Sequence, residues 1–347
     1  MSGSAEKVKE LLKKRGAEGV LQIDLVEELN YSRSTISETL TKLENSKDII
    51  RRKVDGKTKR VWSMENVPFP IKGYIRVGML KTVEYPHSLL TVDKLREDFN
   101  IKVRVYNSAM KATRALSRGQ LDIGFTPLIT QAMFSSLMRS IKIYGGSGFR
   151  GSGLIHREGE NLEDLNYGCS ELSTMETNLK TFLERKGVDP SSVNITYFRD
   201  PERMVESYVS GEIDGLSIWE PYFTTIKGVD DTEALEFSEE LGDYPCCTLA
   251  ANQEFVEKNE EAFKTFMSTY IDVTDQLNSG DERVKRKAVE LIEETMDYDK
   301  NIILTTFDNF GHNYELSRDQ FRDTLKNFGI NPTSGFTDKV LDLSFIS

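Results

Sequence analysis

The chain has 347 residues, a formal net charge of −11 and a hydrophobic content of 38%. This length is too great for one ordinary core and indicates two or three packing units. The apolar content excludes a disordered chain. Because no run of 18 apolar residues is present, the sequence predicts no bilayer-spanning helix and no membrane partner.

The charge is distributed unevenly along the chain. Residues 1–65 contain 14 Lys and Arg against 11 Asp and Glu, so this segment carries +3 and the remainder carries −14. A basic segment on an acidic protein is typical of a localised nucleic-acid surface.

The cysteines and the N-terminal residues indicate the cellular compartment expected for the protein. The three cysteines, Cys169, Cys246 and Cys247, fit neither a disulfide framework nor a CxxC zinc pattern. The N-terminal residues are charged and no apolar segment follows them, unlike a signal peptide. We therefore expect a cytoplasmic protein with no metal site and no cofactor.

The first 65 residues show the spacing of three short helices. Asp24 precedes the second helix, and Ser32 is expected to cap the third. Apolar residues recur at helical intervals in each, at Val8, Leu11, Leu12, then Leu25, Val26, Leu29, and then Ile36, Leu40, Leu43.

A basic hairpin is predicted to follow these helices. Residues 49–54 and 57–62 are β-prone and are separated by Asp55-Gly56, a strong signal for a two-residue turn. Positions 51–60 contain six Lys or Arg and one acidic residue. Three helices followed by such a hairpin form the element order of a winged helix-turn-helix.

Residues 1–65 resemble MarR-like winged-helix regulators, most clearly over residues 25–37. The resemblance implies a double-stranded DNA partner, a third helix that contacts base edges and a hairpin that contacts phosphates. A homodimer is expected because paired half-sites raise the affinity of short helices. A winged helix used only for protein contacts is the alternative. The candidate DNA-binding residues are Arg33, Ser34, Thr35, Ser37, Glu38, Arg51, Arg52, Lys57, Lys59 and Arg60.

A linker over residues 66–73, with Pro68 and Pro70, is expected to precede an α/β region over residues 74–347. Strands and helices alternate there, which predicts parallel sheets covered by helices. The expected strands are 74–79, 101–106, 121–125, 167–169, 193–198 and 216–218. The expected helices are 92–99, 110–116, 176–186 and 201–210.

Two segments of this region repeat one pattern, since residues 117–124 and 210–215 each place an Asp in a short strand after a helix that ends at Gly. With residues 151–155, 187–193, 219–222 and 249–255, these segments resemble type 2 periplasmic binding proteins of the nitrate/sulfonate/taurine and NMT1/THI5-like branch. The resemblance implies two α/β lobes around a ligand cleft. Lobe 1 would hold about residues 74–153 and 248–347, and lobe 2 about residues 154–247.

Ligands of open α/β sheets bind beyond the carboxyl ends of the strands. Ser173 and Thr174 are the strongest candidates because they open a helix whose free amides favour an anion. Trp219 could equally be a packing residue rather than a ligand contact. His87 could equally cap the helix that follows it. The glycine-rich residues 145–151 are expected near the lobe crossing and lack the ending of a phosphate loop. The candidate ligand-binding residues are Lys81, Thr82, Tyr85, His87, Asn107, Thr126, Arg150, Ser173, Thr174, Trp219 and Glu220.

Enzymatic activity is not expected, and no catalytic residue is assigned. THI5-like pyrimidine synthases resemble this chain around residues 122–126 and 246–248, but Thr126 and Thr130 stand where that family has its lysine and histidine. Without the amine, pyridoxal-type chemistry lacks its covalent anchor. The sequence therefore predicts a transcriptional regulator that senses a small polar or anionic metabolite of the sulfonate, nitrate or pyrimidine class. The alternative is an intracellular pyrimidine-precursor binding protein or THI5-like enzyme.

Overall fold

The structure is a computed structural model that describes residues 3–159, 161–229 and 231–346. The chain separates into two units. The first extends to Pro70 and includes Arg118–Gln120, and the second comprises Ile71–Ser117 and the residues from Leu121 onward. The division falls within residues 66–73, the segment predicted as a linker. Among the described residues, no helix has an apolar stretch long enough to cross a bilayer.

The first unit combines helices with a small antiparallel sheet. Its strands lie in the order β1-β3-β2. The helices pack around a core that includes Val8, Leu25 and Ile36. Ser32 caps the third helix as expected, since its Oγ accepts the Thr35 N–H at 3.1 Å. The elements are α1 (Gly3–Arg15), β1 (Val20–Leu21), α2 (Gln22–Leu29), α3 (Arg33–Asn45), β2 (Ile49–Asp55) and β3 (Thr58–Ser63).

The hairpin turn lies one residue later than predicted. Asp55 pairs with Thr58 at the end of the ladder, so Gly56 and Lys57 form the turn. Gly56 has a φ of +46°, a conformation that glycine adopts without steric cost.

The second unit contains two sheets, one in each lobe. The first sheet has the strand order β14-β7-β13-β6-β4-β5, and the second has the order β10-β9-β11-β8-β12. The elements up to the lobe crossing are β4 (Tyr74–Leu80), α4 (Pro86–Leu95), β5 (Asn100–Tyr106), α5 (Ala109–Ser117), β6 (Ile123–Pro127), α6 (Leu128–Met138) and β7 (Ile141–Arg150).

The chain enters the second lobe after β7 and returns through β13. The second lobe contains β8 (Ser152–Arg157), β9 (Asn166–Ser170), α7 (Thr174–Arg185), β10 (Asn194–Phe198), α8 (Pro201–Val209), β11 (Gly215–Trp219), α9 (Tyr222–Ile226), β12 (Thr232–Glu236) and α10 (Phe237–Leu241). The returning segment contains β13 (Pro245–Asn252), α11 (Gln253–Lys258), α12 (Glu260–Asn278), α13 (Glu282–Met296), α14 (Lys300–Thr306), β14 (Phe310–His312), α15 (Arg318–Asn327) and α16 (Ser334–Val340).

Two expectations for this unit need correction. The sheets are mixed, because β13 is antiparallel to β6 and β7 and β8 is antiparallel to β11 and β12. The helix expected at 92–99 is α4, which begins at Pro86, a residue well suited to the first turn of a helix. At the two lobe crossings, β8 begins at Ser152 and β13 at Pro245.

Most of the glycine-rich run is part of a strand. Gly145 and Gly146 lie in β7, where the segment after β14 packs directly on the backbone. A Cβ atom on Gly146 would lie 2.5 Å from the Asn313 carbonyl oxygen. The Gly146 N–H donates to the Tyr314 carbonyl at 2.7 Å. These glycines therefore permit close backbone packing.

The repeated Asp pattern has a structural role. The Asp122 carboxylate accepts the backbone N–H of Arg76 at 2.8 Å, and the Asp122 N–H donates to the Arg76 carbonyl at 2.8 Å. Asp214 makes the same reciprocal pair with Asn166, at 3.0 and 2.9 Å. Each Asp thus joins the start of one strand to its parallel neighbour. Asp122 also accepts the Arg76 guanidinium at 2.7 Å, and this ion pair is buried.

We expect Asp122→Ala to lower the free energy of unfolding by about 3–5 kcal/mol, because it leaves a buried guanidinium without its carboxylate. Urea unfolding followed by Trp219 fluorescence in a Trp62→Phe background would measure this effect. Asp338→Ala, which removes an exposed ion pair with Arg318, is the control and should cost less than about 1 kcal/mol. Equal losses in the two variants would contradict the role assigned to Asp122.

Candidate functional site

A cavity of about 270 Å³ lies between the two lobes of the second unit. Its lining follows the carboxyl ends of strands in both sheets, as expected for open α/β sheets. The first lobe contributes residues after β4, β5 and β6, and the second contributes residues after β9, β10 and β11. The lining residues are Leu80, Thr82, Glu84, Tyr85, Asn107, Ser108, Ala109, Met110, Lys111, Arg114, Pro127, Ser170, Glu171, Ser173, Thr174, Met175, Phe198, Arg199, Trp219, Cys246 and Cys247.

Six of the eleven residues predicted to bind a ligand line this cavity. They come from both lobes and comprise Thr82, Tyr85, Asn107, Ser173, Thr174 and Trp219. Ser173 caps α7, since its Oγ accepts the Glu176 N–H at 3.3 Å. The first turn of α7 therefore lies at the cavity, and its amides and dipole favour an anionic group.

Five predicted ligand residues do not line this cavity. Lys81 pairs with Glu202 at 3.1 Å. Thr126 is buried in β6, with its Oγ1 2.9 Å from that of Thr113. Arg150 forms an exposed ion pair with Asp243.

His87 and Glu220 are also held by other contacts. The Nε2 atom of His87 lies 3.0 Å from both Ser147 Oγ and Tyr270 Oη. The Glu220 carboxylate accepts hydrogen bonds from Thr224 Oγ1 and Asn309 Nδ2, each at 2.8 Å. Position after a strand predicts where a residue lies, but competing polar neighbours decide where its side chain points.

The sequence prediction missed the cationic residues of the cavity. Lys111 and Arg114 lie three residues apart on α5, and Arg199 directly follows β10. All three are exposed and have no ion-pair partner in the described part of the chain. The rule for strand ends could have identified Arg199. Lys111 and Arg114 resemble solvent-facing residues in the sequence.

The floor of the cavity is buried and holds polar atoms that lack partners. The Oε1 atom of Glu84 and the Nε1 atom of Trp219 have no hydrogen bond to any residue that the structure describes. Burial raises the pKa of Glu84 well above its usual value, and the nearby Cys246 and Glu220 add to this effect. Lys111, Arg114 and Arg199 therefore share the cavity with a carboxyl group whose protonated form is favoured by burial.

The two positions that matter for THI5-like chemistry lie outside the cavity lining. The Thr126 hydroxyl is hydrogen-bonded to the Thr113 hydroxyl, and Thr130 Oγ1 donates to the Leu172 carbonyl at 2.7 Å. Both threonines are buried. Their hydroxyl groups serve packing and hydrogen bonding within the fold.

Comparison with known proteins identifies the fold of the second unit. Residues 150–293 match the model of the NMT1-like family, whereas no curated protein matches the chain. A zinc-bound ligand-binding component of an ABC-type import system from Staphylococcus aureus is 15% identical, with a TM-score of 0.68 over 79% of this chain and 98% of that one.

Two further structures support the same assignment. The alkanesulfonate-binding protein SsuA from Xanthomonas axonopodis pv. citri, bound to MOPS, is 15% identical, with a TM-score of 0.63 over 79% of this chain and 96% of that one. The periplasmic nitrate-binding protein NrtA from Synechocystis PCC 6803 is 12% identical, with a TM-score of 0.65 over 80% and 88% of the two chains. The second unit therefore has the two-lobed periplasmic-binding-protein fold that the sequence predicted.

The comparisons contradict the cytoplasmic location expected from the sequence. The similar structures include a ligand-binding component of an ABC-type import system and proteins named as periplasmic binding proteins. The expectation was wrong because it relied on a charged N-terminus and an odd number of cysteines, and neither feature defines a compartment.

His87 and His312 form a buried pair with ring centroids 5.0 Å apart. Burial lowers the pKa of both, to about 3 for His312, and His312 further lowers that of His87. Because both pKa values lie below the unfolded value of about 6.5, the neutral pair stabilises the folded protein fully above that pH. The stabilisation is lost as the pH falls toward the folded pKa values.

We expect the free energy of unfolding to fall below pH 6.5 by up to about 1.4 kcal/mol per pH unit for each histidine. Urea unfolding from pH 7 to pH 5 would measure this slope. The double variant His87→Gln/His312→Asn should flatten it, and an unchanged slope would exclude these histidines as its source.

Proposed function

We propose that this protein binds a small anionic solute in the interlobe cavity and binds double-stranded DNA through its first unit, as a solute-responsive regulator. The observation that carries the proposal is that both lobes direct unpaired cations to one cavity. We further propose that residues 1–65 are a winged helix-turn-helix domain, residues 66–73 a linker and residues 74–347 the solute-binding domain, with lobes divided near residues 151 and 245.

The solute proposal rests on complementary charge and cavity size. Lys111 and Arg114 enter from the first lobe and Arg199 from the second, while the first turn of α7 adds backbone amides. An anion between the lobes would contact all of these groups. The sulfonate and nitrate named for similar structures belong to this class of ligand. We propose binding rather than catalysis, with no catalytic residue, because Thr126 and Thr130 supply no amine or imidazole.

We expect Arg199→Ala to weaken anion binding by at least tenfold, because a hydrogen bond to a charged group contributes about 1.5–3 kcal/mol. Calorimetric titration with short alkanesulfonates, nitrate and carboxylates would identify the ligand and measure the loss. Arg283→Ala, which removes an exposed arginine on α13, is the matched control. Equal affinity in both variants would exclude the cavity as the anion site.

The DNA proposal is supported by the exposed surfaces of α3 and the hairpin. Asn30 adopts a left-handed conformation between α2 and α3, with a φ of 52°, which suits the turn of a helix-turn-helix. Arg33, Ser34, Ser37 and Glu38 are exposed on α3, whereas Thr35 is half-buried. Such a helix can present its polar side chains to base edges.

The hairpin cations divide into two groups. Arg51 forms an ion pair with Glu44, and Arg60 donates to the Glu18 carbonyl at 2.6 Å. Arg52 lies 4.7 Å from the centre of the Phe69 ring. The Lys57 and Lys59 side chains are exposed, as is that of Lys53, which the sequence analysis did not select. We therefore propose Lys53, Lys57 and Lys59 as the main phosphate contacts.

We expect replacement of Lys53, Lys57 and Lys59 by Ala to weaken DNA binding. It should also reduce the slope of log affinity against log salt by up to about 2.7, since each phosphate contact contributes about 0.9. Fluorescence anisotropy with a duplex at several salt concentrations would measure this. The control is Ala at Lys258, Lys264 and Lys326, which are exposed in the second unit.

Equal slopes in the two triple variants would contradict the hairpin contacts.

A solute can regulate DNA binding only if its affinity differs between two states of the protein. Repeating the DNA titrations with saturating anion would therefore measure the coupling between anion binding and DNA binding. Sedimentation of the complex would test the further proposal that two chains bind one site.

A further inference from the structure

The adjacent residues Cys246 and Cys247 direct both thiols to one place. In a regular strand, neighbouring side chains point to opposite faces. The register between β13 and β7 shifts on both sides of Cys247, so that the pairing passes from Pro245 to Cys247 and omits Cys246. This bulge brings the two Sγ atoms to 3.6 Å, and both residues line the interlobe cavity.

Both cysteines are free, buried and held in position by neighbours from each lobe. Tyr85 Oη, in the first lobe, donates to Cys247 Sγ at 3.1 Å. Thr174 Oγ1, in the second lobe, donates to the Cys246 carbonyl at 2.8 Å. Such supporting contacts fix the direction of potential ligand atoms before anything binds.

Glu84 provides a third donor at the same point. Its carboxylate oxygen and the two sulfur atoms all lie within 4.8 Å of one another. The Glu84 side chain is 3% exposed, and its Oε1 atom accepts no hydrogen bond from the described residues. A buried polar atom without a partner is costly, and neither the fold nor the proposed anion contacts use this one.

We propose that Glu84, Cys246 and Cys247 form a binding site for a thiophilic divalent cation such as Zn²⁺, with its fourth coordination position open to the cavity. Tetrahedral zinc with bonds of about 2.3 Å to sulfur requires two sulfurs about 3.8 Å apart, close to the 3.6 Å observed. Three protein ligands with one open position are typical of zinc sites that exchange their fourth ligand. The donor set disfavours Ca²⁺ and Mg²⁺, which prefer oxygen ligands.

The charge around the site is compatible with this assignment. Two thiolates and one carboxylate with a divalent cation leave one net negative charge. Lys111, Arg114 and Arg199 line the same cavity and can offset it. From the sequence we expected no metal site, because the cysteines lack CxxC spacing. That criterion does not cover adjacent cysteines whose side chains a β-bulge turns to the same side.

The test is titration of the reduced, metal-free full chain with Co²⁺. We expect one Co²⁺ per chain, the visible d–d bands of four-coordinate Co²⁺ and a thiolate-to-metal charge-transfer band in the near ultraviolet. Added Zn²⁺ should bleach these bands. Cys246→Ser and Cys247→Ser should each reduce the charge-transfer intensity, and Glu84→Gln should weaken Co²⁺ binding by about 10-fold or more while retaining that band.

Cys169→Ser is the matched control, because Cys169 is buried in β9 and does not line the cavity. It should leave the Co²⁺ spectrum unchanged. Circular dichroism would establish that each variant is folded. If a cysteine variant does not fold, the milder Glu84→Gln change still tests the site. Absence of the charge-transfer band in the reduced protein, or a band of undiminished intensity in folded Cys246→Ser and Cys247→Ser, would overturn the proposal. The metal alone is the probe, so the result does not depend on anion binding.

Discussion

The return of the chain through β13 is the constraint on which the two-lobed unit depends. This strand pairs with both β6 and β7 in the interior of the first sheet, so strands from before and after the second lobe share one hydrogen-bonded ladder. The second lobe is thereby held at both ends. The strand also begins at the cavity, where it carries Cys246 and Cys247, and continues into the C-terminal helices that complete the first lobe.

Close packing around β7 follows from the same arrangement. The segment after β14 approaches the β7 backbone at Gly146, and side chains would prevent this approach. A glycine-rich run that resembles a ligand-binding loop in the sequence is therefore a packing surface. The cavity instead takes its polar groups from strand ends, helix α5 and the first turn of α7.

The distribution of charge separates the two proposed binding surfaces. In the first unit, Arg51 and Arg60 are held by internal contacts and lysines remain exposed on the hairpin. In the second unit, Lys111, Arg114 and Arg199 line a cavity whose lining also includes buried polar side chains. The first arrangement suits an extended polyanion, because counterion release rewards many exposed charges. The second suits a small anion, because a few charged groups converge on one cavity.

The sequence by itself determined the order and type of most elements, and its resemblance to type 2 periplasmic binding proteins implied the two-lobed fold. Hydrophobic spacing and turn residues act over short distances and are visible in the chain. It also located six cavity residues, because strand ends are local features with a common position in such sheets. Only the tertiary structure decided that Lys81, His87 and Glu220 face other partners, that Lys111 and Arg114 reach the cavity, and that Glu84 meets Cys246 and Cys247. Those outcomes depend on contacts between residues far apart in sequence and on a bulge that breaks the alternation of a strand, and no local pattern specifies either.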